Sequence, residues 1–190
     1  SDAGVGNIRF MCADASTVQL PEAPFDRLFS RFGSMFFAEP HQAFANLRSL
    51  LRPGARIDLA VWAPPRDNLW MMEMMGVVRR HVDIPPAVPR APGPFAFEDL
   101  EYLNEVLAAG GFSSPEIMAY TGQQPVGGVG ATAQEAVSFV LSSMAVGKAL
   151  DEQGTDVRAA AEGELLELFA KHHVPNQGVM MQGKAWLVSA

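Results

Sequence analysis

Cysteine is almost absent: Cys12 is the only one in 190 residues, so no internal disulfide and no CxxC metal knuckle can form. Charge is sparse, at 18% of residues, and unbalanced, with 14 Lys and Arg against 21 Asp and Glu, 14 − 21 = −7. A chain this acidic, without a basic block, is poorly suited to gripping nucleic acid phosphates. No apolar run approaches the ~20 residues needed to cross a bilayer. The opening Ser1-Asp2-Ala3-Gly4 has neither the basic start nor the apolar stretch of a signal peptide. Repeats and low-complexity tracts are missing as well. These absences point to a soluble protein of a reducing, cytoplasmic compartment, with no nucleic acid and no membrane among its partners.

What is present is a core-building composition, 48% hydrophobic, enough for one domain. Ile8-Arg9-Phe10-Met11-Cys12-Ala13 predicts a strand that delivers Asp14 to its C-terminal edge. Leu20-Pro21-Glu22-Ala23-Pro24 is a loop, since two close prolines break regular structure. Phe25–Ser30 alternates apolar and polar residues as a second strand, followed by the loop Arg31-Phe32-Gly33. Pro40 suits the first turn of a helix, on which Phe44, Leu47 and Leu51 share a face. Pro53-Gly54 stops that helix, and Ile57–Trp62 is the third strand. Strand, loop, helix, strand is the grammar of a βαβ unit with a parallel sheet.

Residues 64–95 change character. Prolines open and close the segment, and Asn68 can cap a short helix bearing Leu69, Trp70, Met72, Met75 and Val78. Met and Trp on an inserted helix suit a lid over an apolar ligand, while ordinary core packing is the plain alternative. A helix follows from Phe97 to Ala109, then a strand within Ser114–Thr121 and a polar, glycine-rich loop over Gln123–Gly130. Residues 131–174 are mostly helical. Thr132 and Glu135 form a capping box that turns Val137, Val140, Leu141 and Met144 inward, and a further helix starts near Thr155. Lys184–Val188 closes the sheet.

The strand ends carry the chemistry. In open α/β sheets, ligands sit beyond the carboxyl ends of strands, so Asp14 and Ser30-Arg31-Phe32-Gly33 should face one crevice. Asp14 could instead simply cap the turn that follows it. Gly128-x-Gly130-x-x-Ala133 mimics a dinucleotide fingerprint, but no strand tip supplies its acidic partner. A metal site is not expected: His172 and His173 are neighbours that diverge on a helix, and His41 and His81 lack ligands at a useful spacing. No G-x-S-x-G elbow offers a hydrolase nucleophile.

Three segments taken in order, Ile8–Ala15, Phe25–Phe32 and Leu51–Ile57, resemble the class I S-adenosylmethionine-dependent methyltransferases, especially the small-molecule branch. The resemblance is good from Ile8 to Trp62, looser to Phe112, and returns at Ala185–Val188. It implies an α/β, Rossmann-like sheet with helices on both faces and S-adenosyl-L-methionine as cofactor. Asp14 and Ala15 would then receive the adenine, and Ser30, Arg31 and Phe32 would lie beside its methionine part. The implied acceptor is a small, hydrophobic molecule; Met35, Phe36, Trp62 and Trp70 are the candidates to line its site. A general base is needed only if the acceptor must lose a proton, and His41, His81 and Asp67 are the candidates.

The family's glycine-rich loop and first two strands should precede Ile8, and the chain as given does not contain them. The expectation is therefore a single partial methyltransferase domain over 1–190, truncated or incompletely represented, whose exposed sheet edge could pair with a second copy. The alternative is a catalytically inactive methyltransferase-like fragment with an association or structural role.

Overall fold

The computed structural model describes residues 6–190. Its centre is a βαβ unit. Strand β1 (Phe25–Arg31) leads through a single helical turn, Ser34–Phe36, to helix α1 (Pro40–Ser49) and then to strand β2 (Leu51–Trp62). β1 and β2 are parallel, with Leu28 opposite Ile57 and Arg31 opposite Ala60, as the sequence pattern requires. Pro40 opens α1 at its first position. Helix α1 ends earlier than expected, however, and Pro53-Gly54 lies inside β2 rather than terminating the helix. The register between the two strands shifts between Phe25 and Arg27. Gly54, at φ 75°, falls within the β2 residues that take up this slack, a conformation glycine adopts without penalty.

Helix α2 (Leu69–Val78) follows, then α3 (Leu100–Ala109), whose first turn is capped by Asp99 accepting from the Glu101 N–H at 2.9 Å. Strand β3 (Glu116–Val126) precedes three helices, α4 (Ala133–Ser143), α5 (Ala145–Asp151) and α6 (Thr155–Lys171). The Thr132–Glu135 capping box at the head of α4 is complete in both directions. The short β4 (His173–Val174) turns into β5 (Gly178–Ser189). The sheet runs β1-β2-β5-β3, with β4 on the end of β5, and β5 is antiparallel to β2, β3 and β4.

Two further expectations fail. Ile8–Ala13 is not a strand; residues 6–15 are exposed and irregular, with Phe10 84% exposed. An apolar run becomes a strand only where a neighbour can take its backbone hydrogen bonds, and no described strand lies beside it. Gln123–Val126, expected as loop, belongs to β3 and pairs with Val179–Gln182 of β5. Pro125 is tolerated because β3 is an edge strand, so one side of its backbone needs no partner.

The apolar residues gather in two clusters. One joins α1 and α3 to the sheet through Phe44, Leu103, Leu107, Ile57, Val61 and Val188. The other joins α2, α4, α5 and α6 through Met74, Val140, Leu150, Leu165 and Phe169 to Val179 and Met181. Val188 and the pair Val179 and Met181 have opposite parity on β5, so the clusters occupy opposite sheet faces. On α2 the inward residues are Met71, Met74, Val77 and Val78, while Leu69 and Met72 are exposed. Helix α2 is therefore seated in a core as well as beside the site.

Candidate functional site

The site begins where β1 and β2 end side by side. After Arg31 the chain turns at Phe32, a non-glycine residue at φ 58°. Such a conformation costs energy that local structure must repay. Two contacts do so: the Phe32 N–H donates to the Ala60 carbonyl at 2.9 Å, and its ring stacks on Trp62 at 4.1 Å and 12°. The Trp62 ring in turn meets Trp70 at 5.2 Å, tilted by 50°. The result is an aromatic wall built of packed rings, two of them stacked face to face, at the carboxyl ends of the parallel pair.

Trp70 is placed by Asn68, which is completely buried. The Asn68 amide donates to the carbonyls of Ala63 and Pro64 at 2.9 and 3.1 Å. Its oxygen accepts from the Trp70 indole at 3.3 Å and from the Lys184 backbone N–H at 2.9 Å. Asn68 stands at the cap position of α2 but makes no side-chain cap bond. Instead it ties the end of β2 to β5 and presents Trp70. A lone Asn after Pro64-Pro65 reads equally well as a helix cap, so the sequence holds no signal for this bridging role.

Opposite the aromatic wall stand the end of β3 and one face of α4. Together they enclose a hollow of about 480 Å³, whose far side includes Gln124, Val126, Phe139 and Met144. Four of the expected site residues, Arg31, Phe32, Trp62 and Trp70, meet there. Arg31 is the one charged residue in its lining. Gln124, Phe139 and Ser143 join the site without any sequence signal, because they arrive from elements about a hundred residues downstream of β1.

The remaining candidates lie elsewhere. Met35 is buried at 1% exposure behind the wall, and its sulfur accepts the Trp62 N–H at 3.3 Å. Phe36 is exposed, and Ser30 lies half-buried on β1 just short of the hollow. Ser34, in the same turn, has a buried hydroxyl without a partner among the described residues. Asp14 caps its own turn: its Oδ1 accepts from the Ser16 hydroxyl at 2.7 Å and the Ser16 N–H at 2.8 Å. These bonds hold its carboxyl below the usual range. Asn46 of α1 pins the same turn by donating to the carbonyls of Ala15 and Val18.

None of the three candidate bases lines the hollow. His41 faces Glu105 at 3.4 Å on the α1–α3 side, and His81 lies 3.2 Å from Glu164. Asp67 is bound to Lys184 at 2.9 Å, a hydrogen bond that holds its carboxyl below the usual range and makes it a weak proton acceptor near neutrality. Among the described residues no group of three or more His, Cys, Asp or Glu side chains could hold a metal ion, and no helix is long and apolar enough to cross a membrane.

Residues 1–58 match the protein family described as a methyltransferase domain. No curated protein matches the sequence. Among solved structures, the YcgJ protein of Bacillus subtilis is similar at 16% identity with a TM-score of 0.53, over 99% of this chain and 72% of that one. A Bacillus halodurans protein described as a candidate methyltransferase gives 15% identity and a TM-score of 0.53, over 99% and 73%. A candidate methyltransferase from an antibiotic biosynthesis pathway of Anabaena variabilis gives 11% and 0.51, over 95% and 72%. The chain thus takes the Rossmann-like methyltransferase fold, with an open sheet.

Proposed function

From a chain with this fold and a methyltransferase-domain match over residues 1–58, we propose an S-adenosyl-L-methionine-dependent methyltransferase whose acceptor is a small apolar molecule held in the aromatic hollow. One observation carries the reading: the hollow opens at the carboxyl ends of the parallel pair β1 and β2, where sheets of this kind bind their ligands.

The residues present fit part of such a cofactor. Asp14 lies outside the hollow, on a turn held by Asn46 in the later half of α1, and its ionised carboxylate has an oxygen, Oδ2, that makes no hydrogen bond among the described residues and is open to an adenine amino group. Ala15 flanks it. Half-buried Ser30 offers a polar contact beside the turn at Phe32, whereas the orphaned Ser34 hydroxyl is sealed within that turn. When bound, the cofactor supplies a methyl group already made electrophilic by its sulfonium, so the protein's task is mainly to position the acceptor. The aromatic wall orients the acceptor against a mostly apolar lining.

Calorimetric titration of the chain with S-adenosylhomocysteine tests the reading. A saturable one-site isotherm is expected, and a flat titration of folded protein overturns it. A non-catalytic methyltransferase-like association module is the second reading. It draws on the open side of β1, where Phe29 is 69% exposed, and it predicts the flat titration.

A further inference from the structure

Building on the methyl-transfer reading of this hollow, we propose that the acceptor's apolar body is a flat aromatic ring carrying one ionised group, and that Arg31 selects that group's charge. The shape follows from the wall. Phe32 and Trp62 are already stacked on each other, and Trp70 leans on that stack, so what the hollow offers is an apolar stack that one further ring can extend. Offset stacking on such a surface rewards another ring.

The charge follows from Arg31. An aromatic face alone would equally suit a cation, which is attracted to the electron-rich face of the ring. Arg31 reverses that preference. It lines the same hollow, and like Arg48, Arg66 and Arg79, none of which lines it, Arg31 forms none of the ion pairs found among the described residues. A guanidinium without a carboxylate partner repels a cation and pairs in bidentate fashion with a carboxylate or an acidic phenolate. The chain's net charge of −7 opposes an anion only weakly, because salt screens charges beyond roughly 8 Å under physiological conditions.

The missing base points the same way. No carboxylate, imidazole, thiol, amine or phenol lines the hollow, and His41, His81 and Asp67 lie outside it, beside Glu105, Glu164 and Lys184. An acceptor that arrives already ionised has no proton to surrender. Arg31 is exposed where it lines the hollow, so the ionised group can pair with it without being fully desolvated.

The test needs no cofactor. Naphthoate, naphthylmethanol and naphthylmethylammonium share one ring system and differ in charge, and their affinities for the chain are measured by equilibrium dialysis. Naphthoate is expected to bind about tenfold more tightly than the alcohol, and the ammonium most weakly. Arg31→Gln should abolish the preference while leaving the alcohol within about twofold, and Arg31→Lys should restore part of it. Trp62→Ala should weaken all three, which assigns them to the hollow. Equal affinities, tighter binding of the ammonium, a preference that survives Arg31→Gln, or no binding by any probe overturns the proposal. Failure of the methyl-transfer reading would show separately, as a flat S-adenosylhomocysteine titration.

Discussion

Asn68 has two amide hydrogens and two oxygen lone pairs, and all four are used without water. A leucine of similar volume would strand the Lys184 N–H and the Ala63 carbonyl, each costing about 1–3 kcal/mol where burial is complete, while the Pro64 carbonyl would keep the Asp67 N–H at 2.9 Å. Asn68→Leu is therefore expected to lower unfolding free energy by about 2–4 kcal/mol, read as a shift of the urea midpoint, and to loosen Trp70. Asp14 differs in kind. It is exposed and locally capped, so Asp14→Ala should leave the urea midpoint nearly unchanged. The same substitution should weaken S-adenosylhomocysteine severalfold by calorimetry. Equal affinity for variant and parent would remove Asp14 from the adenine site.

Between elements, the strongest polar tie joins three strands. Asp58 of β2 accepts from Ser189 of β5 at 2.7 Å and from Arg56 at 2.8 Å, and Arg27 of β1 stands 3.6 Å away. Partial burial pushes the Asp58 carboxyl up, but the Ser189 and Arg56 hydrogen bonds and the two guanidinium charges outweigh it, and the net shift is downward. Folding thus favours the ionised form. The stability gained is complete above the unfolded carboxyl value of about 3.9 and is lost as pH falls through the lower folded value. Urea midpoints measured from neutrality into that acid range should fall less steeply for Asp58→Asn than for the parent. A second joint is steric: a Cβ on Gly147 of α5 would sit 1.7 Å from the Leu141 carbonyl oxygen of α4. Gly147→Ala should cost about 1–3 kcal/mol of stability and disturb the α4 face that closes the hollow. The contrast with what the sequence reveals is instructive at this scale. β1, α1 and β2 are legible because alternation, Pro40 and a helical apolar stripe are local signals, and the Thr132–Glu135 box is equally local. Ile8–Ala13 misleads because a strand is defined by its neighbour. The end of β3 was hidden because its partner, β5, lies more than fifty residues on. The same division runs through the site: Arg31, Phe32, Trp62 and Trp70 follow from strand ends, whereas Asn68, Gln124 and Phe139 acquire their roles only when distant segments meet.

Across the whole molecule, β1 pairs with β2 alone among the described strands, and Phe29 stands exposed on it. An open edge with an apolar residue invites pairing with another chain, and a lysine there is a natural deterrent. Phe29→Lys is expected to reduce concentration-dependent association in sedimentation runs, and unchanged association would exonerate this edge. The hollow, meanwhile, lies on the seam between the two apolar clusters: Phe32 and Trp62 pack against one, Trp70 and Met144 against the other. A guest seated there touches both halves at once. Its binding free energy therefore adds to the cohesion of the entire chain, by about 2.7 kcal/mol when the guest is present at a hundredfold its dissociation constant. The quantity of folded protein surviving in a cell would then rise and fall with the supply of the molecule it acts upon.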